Sequence, residues 1–269
     1  MSAATSGHYP IERRAGEIER LDVQGATMAP DCAIMLREIG VAPGWRCLDI
    51  GCGPGGITGL MSERVGPSGK VIGLDADEVF LAHARARAPA NVEFVQGNAY
   101  STGLSAGSFD LVHMRFVAST AGNAETLIRE AMRLAKPGGT VALQEPDMAT
   151  LTCFPPLAAW DRLKAGLEGA FTVAGADIRL GQKLFQLMRA AGLADLVYRP
   201  FVVGINANHP LRDYLPSTTE SLRGTIVGRG LMTAETFDAD LAAVRAHVRK
   251  PDTVFTMYTV AQVWGRTPV

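Results

Sequence analysis

The stretch LDIGCGPGG (48–56) sets Gly51, Gly53 and Gly56 at the spacing G-x-G-x-x-G. Glycines at that spacing let a strand turn sharply into a helix and bring backbone N–H groups close to a bound nucleotide. Two acids flank the turn. Asp49 stands two residues before Gly51, and Asp75 closes the apolar stretch KVIGLD, 24 residues beyond Gly51, near the roughly 20-residue offset of a ribose-binding carboxylate. Asp75 suits the ribose of a dinucleotide and of any other adenosine cofactor. Asp49 favours one of them, because a carboxylate facing the same small pocket would repel a pyrophosphate seated on the helix N-terminus. A ligand with an ammonium and a sulfonium and no phosphate would be held there by charge-assisted contacts. S-adenosylmethionine is such a ligand.

Methyl displacement from a sulfonium requires the nucleophile in line with the carbon–sulfur bond at about 3–3.5 Å, and requires a base only when the nucleophile starts protonated. Open α/β sheets bind substrates beyond the carboxyl ends of their strands, which brings Glu145, in TVALQEP, and His113, in FDLVHM, into range. Tyr9, His209 and Tyr214 belong to segments expected to cover that edge. His209 is the first candidate base, since imidazole titrates near neutrality. Each candidate has a plain alternative: a solvated loop histidine before Pro210, a hydrogen-bonded core histidine between Val112 and Met114, and a helix-capping or ion-paired Glu145. Glu145 and Asp147 are candidate ligands for a divalent cation, but two acids beside a turn are more often simply solvated, and no metal is expected.

These residues need a scaffold, and the sequence outlines one. Residues 11–40 carry apolar positions at helical spacing and predict two helices ahead of the first strand. Strand-like runs then alternate with helix-like ones: RCLDI (46–50), a helix over 57–65, KVIGLD (70–75), a helix over 78–88, VEFV (92–95), FDLVHM (109–114), a helix over 124–135 and TVALQEP (140–146). That rhythm predicts a parallel, doubly wound sheet. The remainder predicts helices within 156–191, a strand at about 195–205, a helical insertion over 209–247 and a late strand in TVFTMYTVAQVWG (253–265) that pairs with the previous one. The organisation expected is a helical cap over 1–44 and a nucleotide-binding catalytic domain over 45–269, with helical insertions at about 150–175 and 209–247.

Composition narrows the function classes. The 26 Lys and Arg nearly balance 27 Asp and Glu, and no run of five or six like charges occurs, so the clustered positive charge of a nucleic-acid binder is missing. Four cysteines form neither a C-x-x-C pair nor a zinc-like cluster, which points to a reducing, cytoplasmic setting. No stretch approaches 18 uninterrupted apolar residues, and MSAATSGHYP lacks the pattern of a secretory leader. Extra helices rich in Phe154, Trp160, Phe171, Tyr214, Leu231 and Met232 suit the walls of a cavity for a small, partly apolar molecule. Monomer and homodimer are both compatible with the sequence.

LDIGCGPGG, VIGLD, VEFVQGNA, SFDLVHMR and LAKPGGTVALQEPD together resemble the successive motifs of class I S-adenosylmethionine-dependent methyltransferases, over about residues 45–147. The likeness is nearest the ubiquinone-biosynthesis and natural-product small-molecule group, and YPIERRAGEIERLDVQ (9–24) is similar to the tyrosine-led opening helix of some natural-product members. The resemblance implies an α/β, doubly wound, mostly parallel seven-stranded sheet and a Rossmann-like cofactor site. It implies that the backbone of Gly51, Cys52 and Gly53 lines the methionine part of the cofactor, with Asp49 under its amino group. Asp75 would take the ribose hydroxyls, Ala76 would lie against the adenine, and Asn98 with Ala99 would meet its edge; many relatives have Asp at the position of Asn98, so the charge differs. Met114 and Arg115 would flank the reacting methyl, Arg115 pairing alternatively with a carboxylate, and Tyr9 would close over the cofactor. The product would be S-adenosylhomocysteine and the acceptor an O, N, S or C nucleophile. An NAD(P)-dependent oxidoreductase and a non-catalytic S-adenosylmethionine-binding module stand as the other readings.

Overall fold

The computed structural model describes residues 16–269; Tyr9 lies outside them. Among the described residues the N-terminal stretch forms one helix, α1 (Glu17–Ile39), where two were expected; it runs through Pro30 and ends on a left-handed Gly40. It stays whole because Met28, Cys32, Met35, Leu36 and Ile39 bury one continuous face. That packing offsets the backbone bond that proline removes.

The chain then alternates as expected: β1 (Arg46–Ile50), α2 (Thr58–Val65), β2 (Lys70–Asp75), α3 (Glu78–Arg85), β3 (Val92–Gln96), β4 (Phe109–Arg115), α4 (Val117–Ala121), α5 (Ala124–Leu134) and β5 (Ala135–Asp147). These five strands pair in parallel. The second half adds β6 (Thr152–Phe154), α6 (Ala158–Val173), α7 (Leu184–Ala190), β7 (Ala194–Phe201), β8 (Gly204–Asn206), α8 (Tyr214–Ser221), α9 (Arg223–Gly228), α10 (Ala234–His247), β9 (Val254–Thr256) and β10 (Thr259–Arg266).

β10 lies antiparallel between β5 and β7, giving a seven-stranded sheet in the order β3-β2-β1-β4-β5-β10-β7. The strand expected at 195–205 is two strands in different sheets, because β8 leaves β7 to join β9 and β6 in a small second sheet. The late run divides in the same way between β9 and β10.

Side chains alternate between the two sheet faces. Leu48, Ile50, Val112, Met114 and Leu143 pack on the face covered by α5 and α7, while Cys47, Leu111 and Ala142 pack on the face covered by α1 and α2. α6 packs against α8, α9 and α10 around buried Trp160, Leu163, Phe237 and Val244. This helical layer and α1 roof the carboxyl end of β1 and β4, where the strand order reverses and a crevice opens.

Candidate active site

At that crevice lies a cavity of about 920 Å³. Its floor is the glycine loop after β1. Gly51, Gly53 and Gly55 take positive φ of 69°, 53° and 96°, which glycine adopts without the Cβ penalty of other residues. The loop amides are already used inside the protein. Gly51 and Cys52 N–H donate to the Leu74 carbonyl (2.7 and 3.1 Å), and Gly55 N–H donates to the Cys52 carbonyl (3.0 Å). Gly53 N–H donates to Asp75 Oδ2 (2.8 Å). A loop whose amides face a carboxylate does not cradle a pyrophosphate, which needs those donors free.

Asp75 ends β2 with its other oxygen, Oδ1, accepting from Asp77 N–H (2.9 Å). Burial pushes its carboxyl above the usual range, against the pull of these two amides. Ala76, Asn98 and Ala99 follow along the same wall, and Asn98 Oδ1 accepts from Tyr100 N–H (2.9 Å) in a local turn. Arg115, at the end of β4, lines the cavity from the other side. It donates to Cys32 Sγ (3.5 Å) and makes no ion pair among the described residues. A Cβ on Gly56 would stand 2.8 Å from its Nη2 and one on Gly25 3.8 Å, so the guanidinium passes between two glycines that leave it room.

Five of the site residues singled out from sequence, Met114, Asp49, His113, His209 and Glu145, are not on the cavity wall. Met114 is fully buried on the opposite face of the sheet, because neighbours along a strand point to opposite sides. Asp49 is 2% exposed and sits behind the loop, its Oδ1 bonded to His113 Nδ1 (2.7 Å). His113 is fully buried, and its Nε2 meets Gln144 Nε2 (2.8 Å). With both ring nitrogens bonded to protein it is not placed to take a proton from an acceptor. His209 lies in the loop after β8, away from the cavity, with Nδ1 accepting from Leu211 N–H (3.1 Å).

Glu145 is a helix cap. Fully buried, it accepts from Ala118 and Ser119 N–H (2.9 and 3.1 Å) at the start of α4. Burial outweighs these bonds and pushes its carboxyl from the ordinary 4.5 up to about 7. The folded protein therefore binds the Glu145 proton more tightly than the unfolded chain does. The associated stability is complete below the unfolded value and is lost as pH rises through the folded one, a fall of about 3 kcal/mol. Glu145→Gln has no such proton, so the difference in unfolding free energy between wild type and variant should shrink across that window. A difference that stays flat with pH, measured by denaturant titration, would contradict the assignment.

The far half of the cavity is apolar and aromatic, walled by Phe116, Met148, Phe171, Ile178, Tyr214 and Tyr258. Phe116 holds a φ of 61°, a strained conformation for a bulky residue. It meets Tyr258 edge to face at 5.8 Å, and Tyr214 meets Tyr258 at 5.6 Å. Polar groups enter this half in one chain. Arg20 Nη1 donates to Gln24 Oε1 (3.1 Å), and Gln24 Nε2 donates to the Tyr258 hydroxyl (3.0 Å), beside the Tyr214 ring. Burial raises both phenols, so they stay protonated. One turn after Tyr214, the buried Thr218 hydroxyl lines the same space without a partner among the described residues. Tyr258 was not foreseen, since it lies inside a run that reads as one strand, and Arg20 and Gln24 read as an ordinary helix surface.

Known proteins share this chain's sequence motifs and fold. The family model for a methyltransferase domain matches residues 47–139. The chain is 40% identical to the demethylmenaquinone methyltransferase of Lactococcus lactis over 123 residues, 44% of this chain and 49% of that protein, so this match spans about half of that relative's length. It is 30% identical to the demethylmenaquinone methyltransferase of Geobacillus stearothermophilus over 196 residues, 65% of this chain and 82% of that protein. In fold it is similar to a S-adenosylmethionine-dependent methyltransferase from Aquifex aeolicus, with a TM-score of 0.53 at 17% identity, covering 93% of this chain and 99% of that one. Among the described residues no helix is long and apolar enough to cross a membrane, and no group of three or more His, Cys, Asp or Glu could hold a metal ion.

Proposed function

Because the chain belongs to the class I S-adenosylmethionine-dependent methyltransferases, we propose that it methylates a small, largely apolar ring compound bearing an oxygen substituent, of the quinol kind. The observation that carries this reading is the single cavity joining the Asp75 loop to an aromatic chamber with a phenol pair and the Thr218 hydroxyl at its polar end. When bound, the cofactor supplies an electrophilic methyl on sulfur; that bond breaks as the acceptor's bond forms, and the acceptor's proton leaves to solvent.

The residues fit the cofactor. Internally bonded loop amides suit the uncharged path of its chain, Asp75 offers further lone pairs to a ribose diol, and Arg115, without an ion pair among the described residues, offers a planar donor pair to a carboxylate. Phe116, Met148, Phe171 and Ile178 exclude water from an acceptor ring. The protonated phenols donate to its oxygen and orient it. Four free thiols, Cys32, Cys47, Cys52 and Cys153, suit a reducing cytoplasm, and either a monomer or a homodimer would serve.

Transfer of labelled methyl from S-adenosylmethionine to 1,4-naphthoquinol, beside naphthalene as the oxygen-free control, tests the reading; label in neither, with none in a metabolite extract, would overturn it. Thr218 gives a second test in which two readouts move oppositely. Thr218→Val removes an unpartnered buried hydroxyl at nearly constant volume and should raise unfolding free energy by about 1 kcal/mol. The same change should raise KM for the naphthoquinol several-fold. Unchanged KM in a stabilised variant would remove Thr218 from the acceptor site.

A further inference from the structure

Behind the glycine loop a row of polar side chains crosses the sheet on the face covered by α1, one from each of five adjacent strands. Arg199 of β7 donates from Nη1 to Gln262 Oε1 (2.7 Å) and from Nη2 to Asp31 Oδ1 (2.7 Å). Gln262 of β10 donates from Nε2 to Gln144 Oε1 (2.9 Å) and to the Asp31 carbonyl (3.2 Å). Gln144 of β5 then reaches His113 of β4, which reaches Asp49 of β1. Gln262 sits directly opposite both Gln144 and Arg199, and His113 directly opposite Asp49. Gln144, Gln262 and His113 have no exposed surface.

The direction of every bond follows from one end. An arginine only donates, so Gln262 must present its oxygen to Arg199 and its amide nitrogen to Gln144. Gln144 must then accept with Oε1, which turns its own NH2 towards His113 Nε2. That nitrogen must accept, so the proton sits on Nδ1 and is donated to Asp49. We infer that Arg199, Gln262, Gln144 and His113 form a positioning relay. It holds His113 as the neutral Nδ1–H tautomer, and so keeps Asp49 negatively charged just behind the glycine loop, where its charge attracts the ammonium of the bound cofactor through space.

An imidazolium in that place would neutralise Asp49 and repel the ammonium. The NH2 of Gln144 prevents this, because it offers no acceptor for a proton on Nε2. With Oδ1 committed to His113, Oδ2 accepts no hydrogen bond among the described residues, so no second protein donor offsets the carboxylate charge on that side. The assignment rests on the cofactor reading above.

Two measurements test it. Nitrogen-15 NMR of His113 in the wild-type protein should show a protonated Nδ1 and an unprotonated Nε2; the reverse tautomer, or an imidazolium at neutral pH, overturns the relay whatever a variant does. Gln144→Glu keeps the oxygen that receives Gln262 and replaces the donor facing His113 by an acceptor, which should convert the ring to an imidazolium. Calorimetry should then show S-adenosylhomocysteine bound ~10-fold more weakly, while its analogue lacking the amino group changes less than about twofold. Equal loss of both ligands would mark a general structural defect and sink the proposal, as would no loss of either. Wild-type protein that ignores S-adenosylhomocysteine would instead remove the cofactor reading, leaving the tautomer measurement standing.

Discussion

Gly51→Ala should abolish measurable cofactor binding and lower the unfolding free energy by about 3 kcal/mol, the sum of two separate costs. The first is conformational. Gly51 has a φ of 69°, and a left-handed L-residue costs about 1–2 kcal/mol. The second is steric, since a Cβ at this position would overlap the Val117 methyl at the start of α4, and overpacking costs roughly 1–3 kcal/mol. The Gly51 amide also holds the loop to the Leu74 carbonyl (2.7 Å), so relief by backbone movement would pull the loop off β2. The double variant Gly51→Ala/Val117→Ala separates the two costs. Removing the methyl should restore part of the stability and leave the conformational part. Urea unfolding and calorimetric titration with S-adenosylmethionine measure both, and wild-type affinity in Gly51→Ala would show that the turn is not needed in this form.

The loop and its strands were legible because they are local. An apolar run of five residues ending in Gly-x-Gly specifies β1 and its turn without reference to any other part of the chain, and KVIGLD does the same for β2. Residues whose roles depend on distant partners were not. His113 and Glu145 read as candidate acid–base groups at strand ends, yet the pleat turns them to opposite faces. There His113 meets Asp49 and Gln144, whereas Glu145 caps α4.

Only the strand order places Arg199 and Gln262 in line with them, and that order requires an antiparallel β10 inserted between β5 and β7. α1 misled in a related way. Pro30 marks a break in an isolated helix, and the break is overridden by a buried face that continues on both sides of it. Tyr258 was hidden because alternation continues through the two residues that separate β9 from β10. The change of sheet there depends on β6 and β8, far away in sequence.

Asp75→Ala should weaken S-adenosylhomocysteine binding by about 100-fold or more, since hydrogen bonds to a charged group contribute about 1.5–3 kcal/mol each and at least two are lost. In the folded chain its two oxygens receive the Gly53 and Asp77 amides (2.8 and 2.9 Å), so the carboxylate shapes the loop and leaves further lone pairs for a ribose diol. These two duties can be told apart. The 2′-deoxyribose analogue should bind wild-type protein more weakly than the parent compound and bind Asp75→Ala almost equally well, because the partner of the missing hydroxyl has gone. A variant that still distinguishes the two ligands would show that Asp75 only shapes the loop. Acidity supplies an independent check. Burial raises the Asp75 pKa in the free protein, and the diol binds the ionised form. Wild-type affinity should therefore begin to fall, as pH is lowered, earlier than an exposed aspartate would impose. Asp75→Asn, with one oxygen still accepting and no proton to take up over this range, should bind weakly at every pH and lack that fall.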